Sequence, residues 1–252
     1  MTYCLAIKVD QGLVFASDSR TNAGVDQIST YSKMHTFEGA DRAICLLTAG
    51  NLATTQAVLR QIRRDVEGRA ERCLYTIEDL AEAAEYVGAL SRAEQRKRES
   101  SNEESFAVDA TFIVGGQVGS RRPQLYLVYP EGNYISATVQ TSFLQIGELK
   151  YGKPILDRIV SENLSLEVAA RCALVSMDST MRSNVTAGPP IELLSYVTDS
   201  LRFNKRLVLE EDNPYLLELR RAWQEGLKQA FENLPSLPAM RPTVHLVDSK
   251  SD

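Results

Sequence analysis

The chain has 252 residues, of which 44% are hydrophobic and 24% are charged, a balance typical of a globular protein with a sizeable core. The formal net charge of −5 gives no support to a nucleic-acid-binding role, and no apolar run reaches the roughly 18 residues that a membrane span needs. The four cysteines, at positions 4, 45, 73 and 172, lack the spacing of a metal site, so we expect buried free thiols. Free thiols and the absence of a signal-peptide pattern predict a cytoplasmic protein.

The first half of the chain reads as strands followed by two helices. In chain order the pattern predicts strands at residues 2–9 and 13–17 joined by a turn, a polar irregular stretch at 21–34, an apolar strand at 43–47, and helices at 52–66 and 76–99. Thr76 and Asp79 have the spacing of a capping box at the start of the second helix. The charged end of that helix, residues 92–99, alternates bases with acids and is typical of a solvated helix end rather than a nucleic-acid patch.

The second half repeats this order. Its pattern predicts strands at residues 110–116, 124–129 and 134–138, helices at 152–161 and 166–182, strands at 191–197 and 206–209, and a last helix at about 215–232. A loose tail is expected from about Leu234. No linker interrupts the chain, so one domain over residues 1–252 is the simplest interpretation. Two antiparallel sheets covered by helix pairs would bury every apolar face, which makes the fold class α+β.

The common catalytic arrangements find little support. The chain has two histidines, His35 and His245, and no Gly-x-Ser-x-Gly element, which argues against a Ser-His-Asp triad. The glycine-rich residues 115–119 lack the Lys-Ser/Thr of a phosphate loop and are interpreted as a strand end and turn. No cluster of ligands indicates a metal, and no cofactor is expected.

The N-terminus remains as a source of chemistry. Methionine is normally removed before a small residue such as Thr2, and removal frees an α-amine with an ordinary pKa of about 8. A neutral amine can act as general base for the hydroxyl of its own residue, so Thr2 can supply both nucleophile and base. By itself, a Met-Thr start also fits an ordinary strand threonine.

The surrounding residues resemble the proteasome β-subunit family. Thr2 begins a hairpin, Asp18-Ser19-Arg20 lies at its far end, Lys33 follows, and a strand then ends at Ala49-Gly50. Within that family the chain is most similar to the Anbu branch, on four segments: residues 1–4, 17–24, 146–154 and 183–190. The resemblance implies an N-terminal-nucleophile hydrolase fold, a four-layer αββα sandwich.

The resemblance also assigns roles to individual residues. It implies that Thr2 is the nucleophile, that the Lys33 ammonium stabilises its alkoxide, that Asp18 holds Lys33, and that the N–H of Gly50 faces the oxyanion. Arg20 would be structural. Thr21, Asn22, Thr48 and Leu52 would flank the first specificity pocket, which suggests a small or uncharged substrate side chain.

The chain departs from the family at three positions near the amine. Glu148 stands where proteasome β-subunits carry the serine of a Gly-Ser-Gly element, and Ser183 and Thr186 stand at the aspartate and serine of Arg-Asp-x-x-Ser-Gly-Gly. A carboxylate at Glu148 would raise the pKa of the amine and slow base catalysis.

Three functions remain open at this point: a threonine peptidase acting on peptides or proteins, an amidase of the same fold acting on a small amide, and an assembly or scaffold protein that lost the chemistry. The resemblance implies a homo-oligomer, either a closed ring or an open helical ring. A partner ATPase is possible by analogy, whereas nucleic acid and membrane partners are not expected.

Overall fold

A computed structural model describes residues 2–22, 28–99 and 108–237 of the chain. Strands and helices alternate along it as the sequence pattern suggests. The strands are β1 Tyr3–Val9, β2 Gly12–Asp18, β3 Arg20–Asn22, β4 Ile28–Thr30, β5 Met34–Glu38, β6 Arg42–Gly50, β7 Ala110–Val118, β8 Gln124–Val128, β9 Tyr134–Ser136, β10 Phe143–Gly147, β11 Ile191–Val197 and β12 Phe203–Leu209. The helices are α1 Leu52–Glu67, α2 Leu80–Glu99, α3 Lys153–Ile159, α4 Leu166–Ser183 and α5 Pro214–Glu232.

Two antiparallel five-stranded sheets form the centre. The first has the order β10-β1-β2-β11-β12 and the second the order β5-β6-β7-β8-β9. Strand β1 lies between β2 and β10, so the start of the chain is held on both sides: Cys4 faces Ser17 on one side and Ile146 on the other. A short hairpin of β3 and β4 stands apart from both sheets.

Three apolar clusters define the layers. One lies between the two sheets, with Phe15, Leu47 and Tyr196 fully or almost fully buried. A second packs the first sheet against α3, α4 and α5, and a third packs the second sheet against α1 and α2. This is a four-layer αββα sandwich, and it confirms the fold class predicted from the resemblance.

Caps on the helices explain several boundaries. The side chains of Asn51 and Ser165 accept hydrogen bonds from the first turns of α1 and α4. The predicted capping box at Thr76 is wrong: Asp79 accepts the bond from the Glu82 N–H, and the helix begins at Leu80. The Thr76 hydroxyl instead bonds the backbone of Cys73 and closes a turn before the helix.

Other differences concern strands. The sequence pattern misses β5 and β10, and residues 20–22 and 28–30 pair as a hairpin inside the stretch expected to be irregular. Residues 23–27, within that stretch, lie outside the described residues. Residues 115–119 are a strand end and turn, as predicted: β7 runs to Val118 and a turn follows at Gly119. A Cβ on Gly116 would come 2.0 Å from the carbonyl oxygen of Ala43.

The remaining predictions concern the thiols and the ends of the chain. All four cysteines are buried and free, as expected. The predicted last helix is α5, whereas most of the predicted loose tail, residues 238–252, and Met1 lie outside the described part of the chain. That the chain is one domain from residue 1 to 252 stays a prediction. Among the described helices, none is long and apolar enough to span a membrane.

Candidate active site

Asp18 is the residue around which the site is built. It ends β2, is fully buried, and lies opposite Ile191. Its Oδ1 accepts hydrogen bonds from the backbone N–H of Tyr3 at 3.0 Å and from Nζ of Lys33 at 2.6 Å, and its Oδ2 accepts one from the N–H of Gly188 at 3.2 Å. One carboxylate therefore ties together the residue after Thr2, the predicted catalytic lysine, and the loop before β11.

The electrostatics of Asp18 reflect two opposing effects. Burial raises the pKa of its carboxyl above the ordinary value, while the Lys33 ammonium and the N–H groups of Tyr3 and Gly188 act in the opposite direction. In all three hydrogen bonds the Asp18 carboxylate is the acceptor, which is the arrangement that suits its ionised form.

Lys33 lies just before β5 and is almost completely buried. Besides Asp18, its Nζ reaches the carbonyl oxygen of Arg20 at 2.7 Å, and its own carbonyl accepts the N–H of Thr48 at 3.0 Å. The ammonium and the Tyr3 N–H share one oxygen of Asp18, so Nζ is no further from that nitrogen than two hydrogen-bond lengths. The ammonium thus lies beside the backbone that carries Thr2.

Gly50 is the last residue of β6. Two residues earlier, Thr48 contacts both Lys33 and β1, because its carbonyl oxygen accepts the Cys4 thiol at 3.7 Å. Gly50 has a φ of 100°, and a Cβ there would come 2.3 Å from the carbonyl oxygen of Asp109. This position requires glycine. Gly50 thus follows, by two residues on β6, the Thr48 that bonds Lys33, and its role toward an oxyanion stays a prediction.

Strand β10 holds Thr2 from the other side. The N–H of Glu148 donates to the carbonyl oxygen of Thr2 at 2.7 Å. Gly147, with a φ of 84°, makes this approach possible, since a Cβ there would lie 2.0 Å from the same oxygen. The Glu148 carboxylate accepts bonds from the Lys150 N–H and the Asn184 amide, each at 3.0 Å. These donors, the Lys150 N–H above all, lower the pKa of Glu148 and keep it ionised.

The three departures from the family pattern are not equivalent in the structure. Glu148 and Thr186 belong to one network, because the Thr186 hydroxyl and N–H both donate to the side-chain oxygen of Asn184, whose amide reaches Glu148. Ser183 is exposed and faces a different cleft beside Trp223. Asn184 is the member that the sequence alone did not single out. Arg20 bridges two segments, as predicted: its guanidinium donates to the carbonyl of Val185 at 2.9 Å.

A cleft of about 340 Å³ opens beside Lys33. Thr48 and Leu52, two of the four residues expected around a specificity pocket, line it, whereas Thr21 is not among its lining residues and the side chain of Asn22 lies outside the described part. His35, Arg60 and Arg63 also line it, although nothing in the sequence pattern assigned them to a pocket. Burial, followed by the charge of Arg63, lowers the pKa of His35 to about 4, so its imidazole is neutral at physiological pH.

Comparison with known proteins shows which family the chain belongs to. A family model described as "Proteasome subunit" matches residues 2–195, which is more than half of the chain. The chain belongs to the proteasome-subunit family. Among the described residues of this family member, no group of histidine, cysteine and acidic side chains is arranged to hold a metal ion.

Solved structures narrow the branch to Anbu, the ancestral β-subunit. Anbu from Yersinia bercovieri is 41% identical and covers 94% of this chain and 100% of its own, with a TM-score of 0.88. The Anbu complex from Pseudomonas aeruginosa, described as a helical assembly, is 44% identical over 94% of this chain and 99% of its own, with a TM-score of 0.90. A Gly-1 mutant of Anbu from Hyphomicrobium sp. strain MC1 is 40% identical over 95% and 100%, with a TM-score of 0.88. Among curated proteins, none matches the chain.

Proposed function

We propose that this Anbu-type chain is a threonine peptidase subunit in which Thr2, freed by removal of Met1, attacks a peptide carbonyl. The observation that carries the proposal is the oxygen of Asp18 shared by Lys33 and the N–H of Tyr3. It fixes an ammonium beside the backbone of the proposed nucleophile. Met1 lies outside the described residues, so its removal is part of the proposal.

The reaction would proceed in two stages. The neutral α-amine of Thr2 takes the proton of its own hydroxyl as the oxygen attacks the carbonyl carbon, and the protonated amine then gives a proton to the leaving amine. Water, activated by the same amine, hydrolyses the ester that forms. Lys33 uses two of its three N–H groups on Asp18 and on the carbonyl of Arg20, which leaves the third for the Thr2 oxygen. The Gly50 N–H would stabilise the oxyanion.

Assembly into a homo-oligomer is part of the same proposal. The relative from Pseudomonas aeruginosa, with a TM-score of 0.90 to this chain, is described as a helical assembly. We therefore expect copies of this chain to associate through unlike surfaces and to form an open helical ring or, where the rotation closes, a planar one. Electron microscopy of the purified protein distinguishes the two.

Intact mass spectrometry with a β-lactone probe tests the chemistry. We expect the isolated protein to have lost the mass of methionine and to gain one adduct that peptide mapping locates at Thr2. The variant Thr2→Ala should remain folded and unlabelled, while Thr141→Ala, which changes an exposed loop threonine, should be labelled normally. A folded, assembled protein that keeps Met1 and takes no adduct would contradict the peptidase and support a scaffold.

A further inference from the structure

The cleft beside Lys33 lies between the second sheet and one face of helix α1. Lys33, His35 and Thr48 line its sheet side. Its helical side consists of residues spaced by three or four, which therefore share one face of α1: Leu52, Thr55, Gln56, Leu59, Arg60 and Arg63. The cleft is therefore half apolar near the start of the helix and basic further along it.

The charge of this cleft has one sign. No aspartate or glutamate is among its lining residues, and over the described residues neither Arg60 nor Arg63 forms an ion pair. Asp18 already balances Lys33. The nearby Glu192, which acts electrostatically on His35, is itself paired with Arg206.

The cleft lies next to the proposed nucleophile, because both adjoin Lys33. Lys33 belongs to both: its ammonium bonds the Asp18 oxygen that also receives the Tyr3 N–H, and its side chain forms part of the cleft wall. A substrate whose carbonyl carbon lies at the Thr2 hydroxyl would therefore have a neighbouring side chain at the mouth of the cleft.

We propose that this cleft binds the acidic side chain, Asp or Glu, of the substrate residue on the amino side of the cleaved bond. Guanidinium groups hold carboxylates through paired charge-assisted hydrogen bonds, and a neutral His35 can add a further donor. The preference rests on the proposed peptidase function and replaces the small or uncharged side chain expected from sequence. A basic substrate side chain would meet Arg60 and Arg63 and be repelled.

Three epoxyketone probes that differ only in the residue next to the warhead test the preference. They carry Glu, its neutral isostere Gln, or Leu, and the rate of adduct formation at Thr2 is followed by intact mass on the assembled protein. We expect the Glu probe to react about tenfold faster than the Gln probe, the effect of one charge-assisted hydrogen bond. Equal rates, or faster reaction of the Leu probe, would overturn the inference and leave the peptidase standing.

Charge-reversal variants identify the residues responsible. Arg60→Glu/Arg63→Glu should abolish the preference for Glu over Gln and create one for a Lys probe. Arg64→Glu is the matched control, since Arg64 is exposed on the same helix but does not line the cleft, and it should keep the preference. If Arg64→Glu has the same effect as the double variant, the cleft is not the binding site.

A binding measurement separates this inference from the chemistry. Peptide amides ending in Glu or Gln are titrated into the Thr2→Ala protein by calorimetry. We expect about tenfold tighter binding of the Glu peptide, abolished in the Thr2→Ala/Arg60→Glu/Arg63→Glu protein. Selective binding without any labelling of the unaltered protein would reject the peptidase but not the cleft. Labelling without selective binding would reject the cleft alone.

Discussion

Two regions of the molecule each contain a buried aspartate that forms an ion pair with a basic side chain. They differ in the burial of the basic partner and in the number of hydrogen bonds that the aspartate accepts. At the end of β2, Asp18 lies 2.6 Å from Lys33, and the two side chains are 0% and 6% exposed. Between α4 and α5, Asp178 lies 2.5 Å from Arg220, with side-chain exposures of 2% and 32%. In the first region both partners are removed from water, whereas in the second the arginine keeps contact with solvent.

The hydrogen bonds sharpen this difference. Both oxygens of Asp18 are occupied by donors from three separate segments, while Oδ2 of Asp178 is buried and has no hydrogen-bond partner among the described residues. A carboxylate fixed by three donors holds its neighbours in one geometry, as a reaction centre needs. The second pair joins two helices and leaves one acceptor unused. A buried ion pair is therefore informative about function only when its remaining hydrogen bonds are counted.

The largest effect is expected from Asp18→Asn. The substitution leaves the Lys33 ammonium buried without a counter-charge, so we expect a loss of about 3–5 kcal/mol in the free energy of unfolding. Urea denaturation followed by circular dichroism measures it. A loss below about 1 kcal/mol would mean that Lys33 reaches water after the change and that the region is less rigid than described.

Acid sensitivity gives a second test of the first region, because His35 lies two residues after Lys33. The unfolded chain protonates His35 below about pH 6.5, while the folded chain does so only below about pH 4. The unfolded state thus binds more protons between these values, so stability falls as the pH is lowered through them and the loss levels off below. We expect this loss in the free energy of unfolding to reach about 2 kcal/mol, because His35 is partly exposed. Denaturation at pH 7 and at pH 4.5 should show that His35→Gln loses less stability between the two pH values than the unaltered protein. An equal loss would contradict the lowered pKa of His35.

A double replacement should distinguish the two aspartates directly. Asp178→Leu/Arg220→Met is expected to lie within about 1 kcal/mol of the unaltered protein, since apolar residues often replace an ion pair without loss. Asp18→Leu/Lys33→Met is the matched comparison, and it should be clearly destabilised because the N–H groups of Tyr3 and Gly188 lose their acceptor. Equal stabilities for the two double variants would remove the distinction.

The smallest effect concerns Glu148, the carboxylate on the other side of Thr2. Its lowered pKa keeps it charged at neutral pH, and a negative charge favours the protonated form of the freed amine. Glu148→Gln should therefore move the acid limb of the pH–activity profile down by about half a pH unit. The measurement is the rate of probe labelling against pH. A limb that moves up, or does not move, would show that Glu148 does not act on the amine.

Much of the fold could be predicted from local pattern. Strand β11 and the beginnings of α1 and α4 follow the apolar periodicity and the caps at Asn51 and Ser165. Strand β10 was missed because Phe143–Gly147 is short and its pairing with β1 joins residues more than 130 positions apart. A pattern read along the chain contains no information on such a partner.

Only part of the site could be predicted, because contacts between residues far apart in the sequence are again not visible in a local pattern. Asp18 and Lys33 were identified by resemblance, and the structure brings them together, although their roles in catalysis stay predictions. Asn184, by contrast, is known only from its contacts with Glu148 and Thr186. The sequence does show Arg60 and Arg63 on one helical face, but it does not show which face of α1 borders Lys33.

The hydrogen bond from β10 to the carbonyl of Thr2 has a consequence for the proposed removal of Met1. The bond from the Glu148 N–H and the close approach of Gly147 both act on the carboxyl side of Thr2, and the Tyr3 N–H is held by Asp18. Cutting the peptide bond before Thr2 breaks none of these contacts. The new N-terminal residue would therefore already be held in place by these contacts, and the fold would need no rearrangement after cleavage.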